Sequence, residues 1–236
     1  MPKKGIILLC SILAFSCGEL QQIANQIPTE NTGIVSKVEI AKGLQEALQL
    51  GIKKQVSKLT QKDGFYSNEL VKIRIPQELQ KVDKTLRNIG LGQLADEGLK
   101  VLNRAAEDAV SEATPIFIDA VNGISFTDAK SILLGSEDAA TQYLSQATEN
   151  SLRNKFTPII SASFKKVGAE KIWKNLITKY NSIPLTTDVD PDITSYVTEK
   201  SLSGVYTMIA IEEKEIRTNI SSRSTDLLKK VFIIQD

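Results

Sequence analysis

Residues 36–62 read SKVEIAKGLQEALQLGIKKQVSKLTQK. Val38, Ala41, Leu44, Leu48, Ile52, Val56 and Leu59 recur at three- and four-residue spacing, which is one apolar stripe on a helix of about seven turns. Ser36 stands where an N-cap belongs, and Glu39 lies three residues on. Together they predict a capping box, in which each side chain takes the other's free backbone N–H. Asp63-Gly64 ends the pattern.

Outward from this stretch the helical pattern continues almost to the end. Val71-Lys72-Ile73-Arg74-Ile75 alternates like a strand but has no partner strand in the sequence, so it reads as an extended loop. Pro76 opens a helix carrying Leu79, Val82, Leu86 and Ile89, closed by Gly90 and Gly92. An alanine-rich helix spans Leu94 to Ala113, and Pro115 starts a short one through Val121. Ser125 with Asp128 predicts a second capping box, for a helix ending at Gly135. Ser136 is expected to cap the next, through Ala147, with two more helices over 150–180 interrupted by Pro158 and Gly168. After Ile183–Asp192, rich in proline and aspartate, helices follow over 194–218 and 224–234. Eight to ten helices with short connections predict an all-α, bundle-like single domain over 36–236. No fixed-period repeat suggests a solenoid.

Composition narrows the chemistry. The 236 residues hold 29 Lys and Arg against 28 Asp and Glu, no histidine, and two cysteines, Cys10 and Cys17. Without an imidazole there is no Ser-His-Asp or Cys-His nucleophile and no His-ligated metal. The body from residue 36 has no thiol, and nothing in the charge balance points to nucleic acid.

The N-terminus reads as an address. Lys3 and Lys4 precede an apolar run from Ile6 to Phe15, too short for a membrane span of about 20 residues but suited to a signal peptide. Leu13-Ala14-Phe15-Ser16-Cys17-Gly18 resembles the lipobox of bacterial lipoproteins, with Phe15 bulkier than usual. The expectation is a signal peptide over 1–16, an acylated Cys17, and a polar tether over 17–35. This places the protein on the periplasmic side of the outer membrane; a cut by the ordinary peptidase would leave it soluble in the periplasm. Cleavage before Cys17 leaves 27 basic and 28 acidic residues, so acyl chains alone are expected to hold the membrane.

Gly43-Leu44-Gln45-Glu46-Ala47-Leu48, Asp63-Gly64-Phe65, Asn103-Arg104-Ala105-Ala106-Glu107, Pro115-Ile116-Phe117, Ala139-Ala140-Thr141-Gln142-Tyr143, Glu212-Glu213 with Ile216-Arg217, and Thr225-Asp226-Leu227-Leu228 together resemble the domain of unknown function 4197 family of exported or lipid-anchored Gram-negative proteins. The resemblance runs from about residue 36 to the end and implies a helical, exported, single-domain protein with no assigned activity.

Several groups are candidates for chemistry. Asn103 with Glu107, and Arg104 with Asp108, are i,i+4 pairs, either a polar pocket in which Arg104 grips an anion or a structural network between helices. Asp119 and Asp128 raise a paired-carboxylate mechanism, although Asp128 already has a capping role. Arg217 and Arg223 are expected to hold the C-terminal helices to carboxylates. Asp188, Asp190, Asp192 and Glu199 occupy positions 1, 3, 5 and 12 of a calcium loop, but Ile193 takes the turn position that needs glycine. The other reading has Asp192 capping the next helix. Calcium is the one cofactor these residues raise. The primary expectation is a non-enzymatic module binding a protein or small ligand between helices. The alternatives are a histidine-free hydrolase or lyase using carboxylates with an Arg, and a calcium-dependent module.

Overall fold

A computed structural model describes residues 35–76, 80–88, 90, 92–170, 173–174, 178 and 192–233, all within one compact unit, Val35–Asp236. The signal peptide, Cys17, the tether up to residue 34, and Asp188 and Asp190 lie outside the described residues.

The first helix begins where the sequence places it. In α1 (Lys37–Leu59) both halves of the capping box form: Glu39 N–H donates to Ser36 Oγ and Ser36 N–H to Glu39 Oε2. Leu44, Leu48, Ile52, Val56 and Leu59 are buried as expected, joined by Gly43, Ala47, Gly51 and Gln55. Val38 is 61% exposed. Six residues at 3.6 per turn set it about 120° away from Leu44, off the stripe. Gly43 admits no side chain, because a Cβ there would lie 2.5 Å from Val231 Cγ2.

Beyond α1, Asp63 turns the chain with a left-handed φ of 62°, and Phe65 enters the core. Segment 72–76 is extended, as read from the sequence. Its missing partner strand is replaced by one side chain on α3. Ile73 N–H donates to Asn103 Oδ1 (2.8 Å), and Asn103 Nδ2 donates to the Ile73 carbonyl (2.9 Å). Val71 and Ile73 then point inward.

The remaining helices are α2 (Gln80–Asn88), α3 (Gly92–Val110), α4 (Ala113–Asn122), α5 (Phe126–Leu133), α6 (Ala139–Lys166), α7 (Ile193–Thr218) and, after a 3-10 turn at Ile220–Ser222, α8 (Asp226–Phe232). The described residues contain no strand. The all-α class holds, with a helix count at the low end of the expectation.

Long antiparallel α6 and α7 form the centre: Thr157 faces Thr198, Thr148 faces Tyr206, and Thr141 faces Glu213. The core around them includes Phe65, Phe117, Phe156 and Phe164. No described helix is long and apolar enough to cross a membrane.

Two local expectations are corrected. The break after Ala147 does not occur; α6 runs on through Asn150 and Pro158 to Lys166. An internal proline costs roughly 3 kcal/mol by removing one helical hydrogen bond. Pro158 and Asn154, whose carbonyl loses that bond, are both exposed, so water can satisfy the oxygen. Leu152, Phe156, Ile160 and Phe164 stay buried on the opposite side. Ser136 is not the cap of α6 either. Asp138 holds the N-cap position without a side-chain cap bond, and the first amides of α6 are taken by a residue of α7.

Candidate functional site

That residue is Glu213. Its Oε1 accepts from Ala140 N–H (2.9 Å), and its Oε2 accepts from Thr141 N–H and Thr141 Oγ1 (both 2.8 Å). A carboxylate at these free amides also meets the positive end of the helix dipole. Arg217, one turn along α7, donates to Glu213 Oε1 from Nε (2.9 Å) and Nη2 (2.8 Å). Its Nη1 and Nη2 also reach the Leu133 and Ile132 carbonyls at the end of α5. Arg223 donates to the Ile216 and Arg217 carbonyls at the end of α7 and lies over the Phe232 ring. The expected arginine clasp is therefore present, and it closes helix ends as well as binding a carboxylate. Neighbouring Glu212 faces α1, accepting from Lys54 Nζ (2.6 Å) and Gln55 Nε2 (2.5 Å).

The Asn103–Glu107 face is the second buried cluster. Phe65 N–H donates to Glu107 Oε1 at 3.2 Å. Arg104 Nη1 stands 2.8 Å from Glu107 Oε2, which has no aligned hydrogen bond, and Nη2 is 3.7 Å from Asp63 Oδ1. Burial raises the Glu107 pKa, against the opposing pull of Phe65 N–H and Arg104. Arg104 thus pairs with Glu107 and Asp63 rather than with Asp108, which instead accepts from Ser163 Oγ. It is no anion-gripping pocket residue: its guanidinium braces the turn after α1 against α3.

Asp119 and Asp128 are both exposed. Asp128 accepts from Ser125 Oγ (2.7 Å) and Ser125 Oγ accepts from Asp128 N–H, so only part of that capping box forms. Of the four calcium-loop residues, Asp192 and Glu199 are described. Asp192 Oδ1 accepts from Ser195 N–H at the start of α7, the capping role foreseen for it. Among the described residues, no group of three or more His, Cys, Asp or Glu is placed to hold a metal ion.

The open feature of the surface flanks the first half of α7. A depression of about 790 Å³ runs between the extended segment and α7, lined among the described residues by Glu69, Arg74, Trp173, Tyr196, Glu199 and Lys200 together with neighbours. Its backbone wall is fixed from both sides, by Asn103 at Ile73 and by Tyr196, whose hydroxyl donates to the Arg74 carbonyl (2.8 Å). A second depression of about 440 Å³ lies between α6 and α7, with Glu149, Arg153 and Tyr206. Glu199, Ser203 and Thr207 border both, forming a polar ridge between them. Neither Asp119 nor Asp128 lines either depression.

A family model described as protein of unknown function (DUF4197) matches residues 34–233. The chain belongs to this family. The match spans every described helix of this DUF4197 protein, both buried clusters and both depressions. No curated protein and no solved structure matches the chain.

The sequence reading missed the groove and the Glu213 cap on α6. A signal for the cap was present. Met208 and Ile209, Glu212 and Glu213, Ile216 and Arg217 repeat at four residues, so the two acids fall on the buried stripe itself and need partners there.

Proposed function

We propose that this protein is an exported envelope lipoprotein, anchored through Cys17, whose helical body is a non-enzymatic module binding a ligand or partner along α7. The observation that carries the binding reading is the 790 Å³ depression with its pinned extended wall. A wall held in place before binding loses little entropy on binding, and a volume of this size suits a small ligand or a short peptide. The disposition of the buried charges supports binding over catalysis. Glu213, Arg217 and Arg223 close helix ends, and Glu107 braces a turn. The short charged leader and the lipobox-like stretch at Cys17 support export and anchoring.

Two measurements test this reading. Labelled palmitate should enter the wild-type chain in its bacterial host and be absent from Cys17→Ser; equal labelling overturns the anchor. Thermal unfolding against a panel of sugars, lipids, peptides and anionic metabolites should give a rise of several degrees with one class. Tyr196→Ala and Glu199→Gln should remove that rise. A flat panel, combined with no envelope crosslink from residues 199 or 203, overturns the binding reading.

A further inference from the structure

The near-zero net charge of the whole chain conceals an uneven distribution. Residues 105–150 hold eight acids, at 107, 108, 112, 119, 128, 137, 138 and 149, and a single base, Lys130. By contrast, residues 50–62 hold four lysines, Lys53, Lys54, Lys58 and Lys62, and no Asp or Glu. Spacings of three and four put Leu50, Lys53, Lys54, Ser57, Lys58, Gln61 and Lys62 on the exposed side of α1 and just past its end. Gly51, Ile52, Gln55, Val56 and Leu59 face inward. From Lys53 to Lys62 the rise is about 14 Å.

Structural roles account for part of this face only. Lys54 is paired with Glu212, and Lys58, in the last turn, complements the helix dipole. Lys53 and Lys62 have neither role. Among the described residues, no carboxylate lies within ion-pair distance of Lys53, Lys58 or Lys62. Unpaired like charges repel one another across a folded surface, and an anionic partner turns that repulsion into attraction. The margin of the face is apolar, with Leu50 42% exposed and Ile211 of α7 38% exposed. Such side chains suit the headgroup region of a bilayer better than a hydrated polyanion.

We infer that the lysine face of α1 docks on an anionic phospholipid surface. The contact is electrostatic and independent of acylation, and it lies apart from the α7 depression. It departs from the expectation that acyl chains alone hold the membrane, because that expectation used net charge where the local arrangement decides.

The test uses the chain from residue 17 onward carrying Cys17→Ser, so that neither the leader nor an acyl group contributes; it keeps the whole unit Val35–Asp236. Its sedimentation is measured with vesicles of phosphatidylcholine alone and of phosphatidylcholine with phosphatidylglycerol. Binding should require phosphatidylglycerol and weaken as salt shortens the screening length. K53Q/K58Q/K62Q should lower it by about a hundredfold, since each lysine near such a surface contributes about fivefold. K84Q/K165Q/K166Q, which removes the same charge from other exposed positions, should bind like the parent. Circular dichroism should show one unchanged unfolding transition for all three proteins. Equal binding to both vesicles, equal loss in the two triple variants, or binding to duplex DNA without binding to vesicles overturns the inference.

Discussion

Glu213 and Glu107 are 6% and 3% exposed, yet their surroundings differ in kind. Glu213 receives two helix-terminal amides, a hydroxyl and a guanidinium, and that guanidinium also closes the carbonyl end of α5. Glu107 receives the Phe65 N–H at 3.2 Å, and its second oxygen lies beside Arg104 without alignment. Arg104 remains partly in water, whereas Arg217 is buried. Depth alone therefore does not fix what a carboxylate contributes. What separates the two is whether the donors around each one have remaining valences satisfied as well.

The largest expected effect comes from breaking the better site. Arg217→Ala leaves Glu213 buried with its counter-charge gone and the Ile132 and Leu133 carbonyls without their donor. We expect a loss of about 3–5 kcal/mol, read from the urea midpoint at constant slope. A loss below about 1 kcal/mol, the range of a surface pair, would refute the distinction drawn between the sites. Next comes Asn103→Ala, one turn from Glu107. It removes both bonds to Ile73 and should cost about 2–3 kcal/mol. It should also reduce protection of the Ile73 amide from hydrogen exchange before any global unfolding; unchanged exchange would show that Asn103 does not hold the wall.

Glu107→Gln sharpens the comparison from the weaker side. A neutral amide keeps an acceptor for Phe65 N–H and avoids burying charge, so stability at neutral pH should change by less than about 1 kcal/mol, in either direction. The smallest effect is in the pH profile. Folding raises the Glu107 pKa above its ordinary 4.5. A raised acid pKa means that the folded state holds its proton more tightly than the unfolded chain. The stabilisation from this linkage is present below the unfolded value and is lost as pH rises from about 4.5 through the folded value. Wild type should lose stability relative to Glu107→Gln across that interval; parallel profiles would show that the carboxyl has no such linkage.

Sequence legibility followed the distance between interacting residues. The α1 cap was legible because Ser36 and Glu39 are three residues apart, and the Glu213–Arg217 pair because both lie on one helix. The extended character of residues 72–76 was legible from alternation, but its stabilising partner is 30 residues away. Nothing in alternation identifies an asparagine as a replacement strand. The unbroken course of α6 was hidden for another reason. Proline disrupts a helix according to whether the freed carbonyl finds a donor, and the sequence does not show that Pro158 and Asn154 face water. The α7 depression depends on how separate segments come together, and no local pattern encodes it.

The cap on α6 also has a consequence in time. Ala140 and Thr141 are synthesised 73 and 72 residues before the glutamate that closes their amides. While the chain emerges from its N-terminus, the front of the central helix stays frayed until nearly nine-tenths of the sequence has been made. The fold therefore contains an order of events, with the C-terminal helices arriving as the step that locks earlier ones. A nascent or truncated chain ending before Glu213 would carry the full α6 sequence without its closure and would remain open to chaperones and proteases.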